Sequence, residues 1–139
     1  MRAVINIDVP DLPRAIDFYC RALGLQHGRT LDGVVAELLG ASSVIYLLQN
    51  EPGSPCSPGS AESRRYTRHW TPVHMDFVVE DLAAAKERVL RAGALCESGC
   101  VEWMGSRCMS FSDPFGHGFC LLEFDDGTYR AGDGRAGHA

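Results

Sequence analysis

Six cysteines, five histidines and a scatter of carboxylates are the residues of this chain equipped for chemistry. Their spacing limits which of them act together. Cys96 and Cys100 stand four apart, not in the C-x2-C pair of a structural zinc site. Cys20, Cys108 and Cys120 fall inside apolar or periodic runs, where a thiol behaves as a small hydrophobe. No G-x-G-x-x-G follows a strand, and the P-loop, H-E-x-x-H and G-x-S-x-G motifs are missing from the sequence. What stands out is polar groups alternating with apolar ones. Over residues 73–79, His74 and Asp76 alternate with Met75, Phe77 and Val79, so strand geometry puts imidazole and carboxylate on one face. Asn6 and Asp8 alternate in the same way with Ile5, Ile7 and Val9. A carboxylate such as Asp76 or Glu37 could then serve as a general base. Trp70 and Trp103 offer rings that stack on a planar ligand. His117, which follows Asp113-Pro114-Phe115-Gly116, reads as a turn residue.

The elements that must position these groups come as a repeat. Residues 3–12, AVINIDVPDL, and 73–82, VHMDFVVEDL, are each an alternating strand ending in an acidic residue. Asp11 and Asp81, seventy apart, are the expected helix N-caps. Leu12, Ala15, Ile16, Tyr19 and Leu23 make one apolar stripe, and Leu82, Ala85, Val89 and Ala92 a second, narrower one. Lys86 replaces the apolar residue at Ile16, and its stem can lie along the edge of that face. Gly24 and Gly93 end the helices. Three strands are expected after each helix, at about 26–31, 33–40 and 43–50, then at 95–100, 102–111 and 117–125.

The predicted division is a first βαβββ module over 1–50, a Pro/Gly/Ser-rich linker over 51–70, a second βαβββ module over 71–125 and a disordered tail over 126–139. A sheet with a helix on one face leaves its other face uncovered. Two such units side by side can curl into a half-barrel around a cup, where a small molecule would bind. A net charge of −5 argues against a nucleic-acid partner. The sequence holds no apolar run long enough to span a membrane. Charge and proline early in MRAVINIDVPDLPRAID argue against a secretory signal, so a cytoplasmic protein without disulfides is expected.

The doubled βαβββ pattern, the phrase Asp11-Leu12-Pro13-Arg14-Ala15-Ile16-Asp17-Phe18-Tyr19 and the ending from Asp113 to Phe124 resemble the vicinal oxygen chelate superfamily. That superfamily contains glyoxalase I, extradiol dioxygenases, fosfomycin-resistance transferases, methylmalonyl-CoA epimerase and bleomycin-binding proteins. The resemblance spans about residues 3–125 and implies an α+β fold in which two βαβββ modules form a curved mixed β-sheet half-barrel around a cup. It also implies a homodimer. Metal-using members place ligands on the opening and closing strands of each half, which by position are Val4, Gln49, His74 and Glu123. His74 and Glu123 suit a divalent cation, Gln49 is a weak neutral ligand, and Val4 has no lone pair to offer.

Two functions follow as expectations. The leading one is a small-molecule-binding protein of the bleomycin-resistance type, without a metal. It would hold a mostly apolar or aromatic ligand among Asn6, Asp8, Gln49, Trp70, His74, Trp103, Leu121 and Glu123. The alternative is a metal-dependent enzyme with glyoxalase-, epimerase- or dioxygenase-like chemistry. There His74 and Glu123, with Gln49, would hold Mn, Fe, Ni or Zn, and Asp76 or Glu37 would act as base.

Overall fold

Each helix starts where a side-chain oxygen replaces a missing backbone acceptor. The computed structural model describes residues 1–131. Asp11 Oδ1 accepts the Arg14 N–H at 3.1 Å and opens α1 (Leu12–Leu23). Asp81 Oδ1 accepts the Ala84 N–H at 3.1 Å and opens α2 (Leu82–Ala92). Each helix stops at a left-handed glycine, Gly24 at φ 67° and Gly93 at φ 118°. The buried stripe of α1 is Leu12, Ala15, Phe18, Tyr19 and Ala22, so Phe18 and Ala22 take the buried places expected of Ile16 and Leu23.

Around the helices the strands form two sheets of matching topology. In the first, β1 (Ile5–Val9), β2 (Gln26–Leu31), β3 (Val35–Leu39) and β4 (Ile45–Gln49) lie in the order β1-β4-β3-β2, with β1 and β4 parallel. In the second, β5 (Met75–Val78) lies parallel to β9 (Gly118–Phe124), followed by the antiparallel β8 (Ser106–Ser112). Along the far side of β8 run two short pieces, β6 (Leu95–Cys96) and β7 (Val101–Trp103). Together they stand where β2 stands in the first sheet. The continuous strand expected at 102–111 is instead β7 and β8 joined by a tight hairpin. Met104 and Gly105 both have positive φ there, 46° and 73°, the backbone that a two-residue hairpin turn requires.

One core joins the two halves. Ile7, Val9, Leu38, Ile45 and Leu47 from the first sheet and Phe111, Phe119 and Leu121 from the second form a single cluster with α1 and α2, which pack on each other. A buried carboxylate fastens the join. Asp113 accepts the Tyr19 hydroxyl from α1, and its other oxygen accepts the N–H groups of Phe115 at 2.8 Å and His117 at 2.9 Å. The ring of His117 then reaches across to the Asp8 carbonyl at 2.6 Å, so this residue spans the two halves and does more than complete a turn. Burial, and then the charge of Asp113, push the Tyr19 phenol well above its ordinary range.

The stretch over 51–70 is pinned at several points. Arg64 Nε donates to Asp8 Oδ2 at 2.8 Å, and the Tyr66 hydroxyl donates to the Asn50 carbonyl at 2.6 Å. Of the segment 126–139, residues 132–139 lie outside the described residues. Ahead of them Tyr129 packs edge-on against Trp103 at 5.2 Å, and the Arg130 N–H donates to the Met104 carbonyl at 2.7 Å. Among the described residues no helix is long and apolar enough to cross a membrane.

Tyr19→Phe removes a buried hydrogen bond to a charged group and leaves the ring in place. We expect it to lose about 1.5–3 kcal/mol of stability, measured by urea denaturation. A loss near zero would mean that Asp113 does not depend on this contact.

Candidate functional site

Strand alternation sorts every polar side chain onto one of two faces. Ile45 and Leu47 of β4 are buried against the helices, and Gln49 shares their parity. Its Oε1 accepts the Leu12 N–H at 2.9 Å, the first free donor of α1. Glu123 of β9 does the same in the second half. It shares the parity of buried Phe119 and Leu121, and its Oε2 accepts the Leu82 N–H at 3.0 Å. Arg107 Nη2 holds the other oxygen at 2.9 Å.

His74 points the opposite way. Its Nε2 lies 3.2 Å from Asp76 Oδ1 on the open face of the second sheet. The expected ligand set is therefore corrected: His74 faces the cup, whereas Glu123 and Gln49 face the helix layer as caps. Leu121 is corrected too, since it is fully buried on the helix side. The cause is a one-residue ambiguity in β4 and β9, whose apolar residues, Ile45 to Leu48 and Phe119 to Leu122, mark neither face. Glu37 does lie on the cup side of β3, but Arg29 grips it through Nε at 3.2 Å and Nη2 at 2.8 Å. That contact pulls its carboxyl down to about 2, which makes it a poor base near neutral pH.

What the fold brings to His74 is Cys120, a residue whose apolar run marks it as packing. Parallel pairing sets Cys120 beside Asp76. Single ligand atoms of His74, Asp76 and Cys120 all lie within 4.8 Å of one another. The strand parity of Gly118, Cys120 and Leu122 was the available signal. Ser110 Oγ lies 3.5 Å from Cys120 Sγ. Burial raises the Cys120 thiol and pushes the neighbouring Cys108 thiol up to about 12, so neither is a ready thiolate nucleophile.

Trp70 walls this cluster. Its ring meets His74 edge-on at 5.4 Å. The Arg68 guanidinium lies 4.4 Å from the Trp70 ring and is held by both oxygens of Glu97 at 2.5 Å. Gly118 makes room for the ring, because a Cβ there would come within 2.8 Å of Trp70. Beside Trp70 a cleft of about 340 Å³ opens between β1 and β5, lined by Asn6, Asp8, Trp70, Val73, His74 and Gly118. Asp8 is committed to Arg64 and to Asn50 Nδ2, each at 2.8 Å, while Asn6 is exposed. Trp103 lies at the far end of the same sheet face, against Tyr129, and does not line this cleft.

Glu123 is held below its ordinary range by Arg107 and by the Leu82 N–H. A depressed carboxylate contributes stability that is fully present above its unfolded value of about 4.3 and is lost as pH falls through the lower folded value. Glu123→Gln should therefore be less stable than the natural protein near pH 7, with the gap closing below about pH 4. Urea titrations at the two pH values test this. A gap that persists in acid would mean that the charge of Glu123 is not what stabilises.

The profile of the family described as "Glyoxalase-like domain" matches residues 4–122. No curated protein matches the sequence. Among solved structures, hypothetical protein SA1046 from S. aureus is 21% identical, with a TM-score of 0.69 and coverage of 88% of this chain and 93% of that one. A FosX fosfomycin resistance protein variant from Listeria monocytogenes, complexed with Mn(II) and 1S,2S-dihydroxypropylphosphonic acid, is 18% identical at a TM-score of 0.66, covering 87% of each chain. A glyoxalase/bleomycin resistance protein/dioxygenase from Nocardioides is 19% identical at 0.63, covering 99% of this chain and 91% of that one. The chain belongs to the glyoxalase-like domain family, within the vicinal oxygen chelate superfamily.

Proposed function

We propose that this glyoxalase-like domain binds a small, planar, mostly apolar molecule in the cleft beside Trp70, in the manner of a bleomycin-resistance protein, without chemical turnover. The observation that carries this reading is the cleft itself. Its volume of about 340 Å³ is in the range of small-ligand sites. It has a tryptophan wall that is 45% exposed and is braced from outside by Arg68 and Glu97. A ring entering there exchanges water for Trp70, Val73 and the edge of His74, with Asn6 free to accept or donate one orienting hydrogen bond. The reading includes a homodimer. Val78, Leu95 and Val101 on the open sheet face are 61%, 68% and 58% exposed, which is apolar surface that a second copy would cover.

The His74–Asp76–Cys120 cluster supports a second reading, a metal-dependent enzyme. Nitrogen, carboxylate oxygen and sulfur together suit a zinc-like ion better than manganese or magnesium. His74 and Asp76 are exposed, which leaves a coordination position open toward the cleft. A bound ion would supply Lewis acidity to a substrate oxygen. The chain's own contribution would be the Cys120 proton, released as the thiol ligates, so uptake would weaken in acid.

One experiment separates the two. With EDTA present, 2-naphthol is expected to quench tryptophan fluorescence saturably, and Trp70→Ala to weaken its binding about tenfold, followed for that variant by isothermal titration calorimetry because Trp70 is the reporter. Quenching that appears only after zinc is restored, together with zinc retained by the natural protein and lost from Cys120→Ser, would replace the binding reading with the enzymatic one.

A further inference from the structure

The duplication is broken at one junction between the halves. Phe18 on α1 and Arg88 on α2 stand seventy residues apart, the same spacing as the two caps, so Arg88 occupies the place of Phe18. The turns entering β4 and β9 differ as well. Six residues separate Leu38 from its partner Ile45, and seven separate Phe111 from Phe119. The longer turn carries Phe115. Its ring is buried edge-on against Phe18 at 6.5 Å, with the Arg14 guanidinium 5.5 Å from it. The shorter turn, Gly40 to Ser43, offers no side chain beyond Ala41 and the two serines.

Where the second half inserts an aromatic plug, the first therefore leaves a hollow. A cavity of about 350 Å³ lies there, lined by Leu23, Leu25, Phe77, Val79 and Leu121, with Arg88 beside them. It lies on the helix side of the second sheet, away from Trp70. Arg88 is exposed, and among the described residues no carboxylate lies within 4.0 Å of it. Its Nη1 is 3.8 Å from where a Cβ on Gly24 would sit, so the charge stands at the C-terminal end of α1.

We propose that this junction is a second small-molecule site, taking an aromatic monocarboxylate. The ring fills the position that Phe115 fills in the other half, and the carboxylate pairs with the planar donor fork of Arg88. The side chains of Leu23, Leu25, Phe77, Val79 and Leu121 give the ring an apolar surface to pack on, beside the polar groups that Arg88 and Ser42 contribute. A doubly charged anion such as a phosphate monoester is disfavoured, because the α1 carbonyl end presents negative charge beside Arg88. The site is independent of the ligand proposed for the Trp70 cleft.

Titration of 4-fluorobenzoate followed by fluorine NMR tests it. The natural protein should bind saturably. Arg88→Gln should weaken binding about tenfold or more, the factor expected for a hydrogen bond to a charged group, while 2-naphthol quenching stays unchanged. Ser42→Phe, which supplies the missing plug, should abolish fluorobenzoate binding. If Ser42→Phe does not fold, the exposed Arg88 substitution decides alone. No saturable binding to the natural protein, or equal affinity in Arg88→Gln, overturns the proposal.

Discussion

A buried charge at the seam governs the arrangement of this molecule. Asp113 is removed from water and is tolerable there because three donors converge on it: the Tyr19 hydroxyl and the N–H groups of Phe115 and His117. Two of those donors shape its own turn, and the third comes from the helix of the other half. The same turn sends the His117 ring to the Asp8 carbonyl on β1. One carboxylate thus sets how the first half meets the second. The cleft beside Trp70 exists because β1 and β5, the free edges of two separate sheets, are held facing each other and do not pair.

The second constraint is the unmet hydrogen bonding at the helix starts. Each closing strand ends in a side chain with a carbonyl-type oxygen, Gln49 or Glu123, directed at the first N–H of its helix. A helix N-terminus attracts negative charge, and Glu123 answers it while also pairing with Arg107. These positions are spent on holding sheet to helix. The groups left for chemistry are those of the opposite parity, so His74 finds Asp76 and Cys120 as neighbours and Trp70 as a wall.

Duplication explains both the order and the departures from it. The caps, the left-handed glycines and the strand order recur in each half. A turn before β9 that is one residue longer and carries Phe115 fills one inter-half junction, and its counterpart is left hollow. The edge of the second sheet is broken into β6 and β7 where the first has the single strand β2. These departures set one half apart from the other, and the distinctive surfaces of the molecule lie at them.

The residue pattern by itself determined the doubled βαβββ order, both helix caps and their glycine ends, the turn at Asp113, and the facing of His74, Asp76, Asn6 and Asp8. Local rules suffice for these, because capping chemistry and strand alternation act over a few residues. The facing of Gln49, Leu121 and Glu123 was open in the sequence, since β4 and β9 each carry apolar residues on both sides and a shift of one residue inverts every side chain. Pairing with β1 and β5 and the approach of α1 and α2 decided it, and these are contacts between segments some forty residues apart. The role of Cys120, the bracing of Trp70 by Arg68 and Glu97, and the reach of His117 to Asp8 belong to the tertiary structure for the same reason. Each depends on where a distant stretch of backbone comes to rest, and no spacing along the chain encodes that distance.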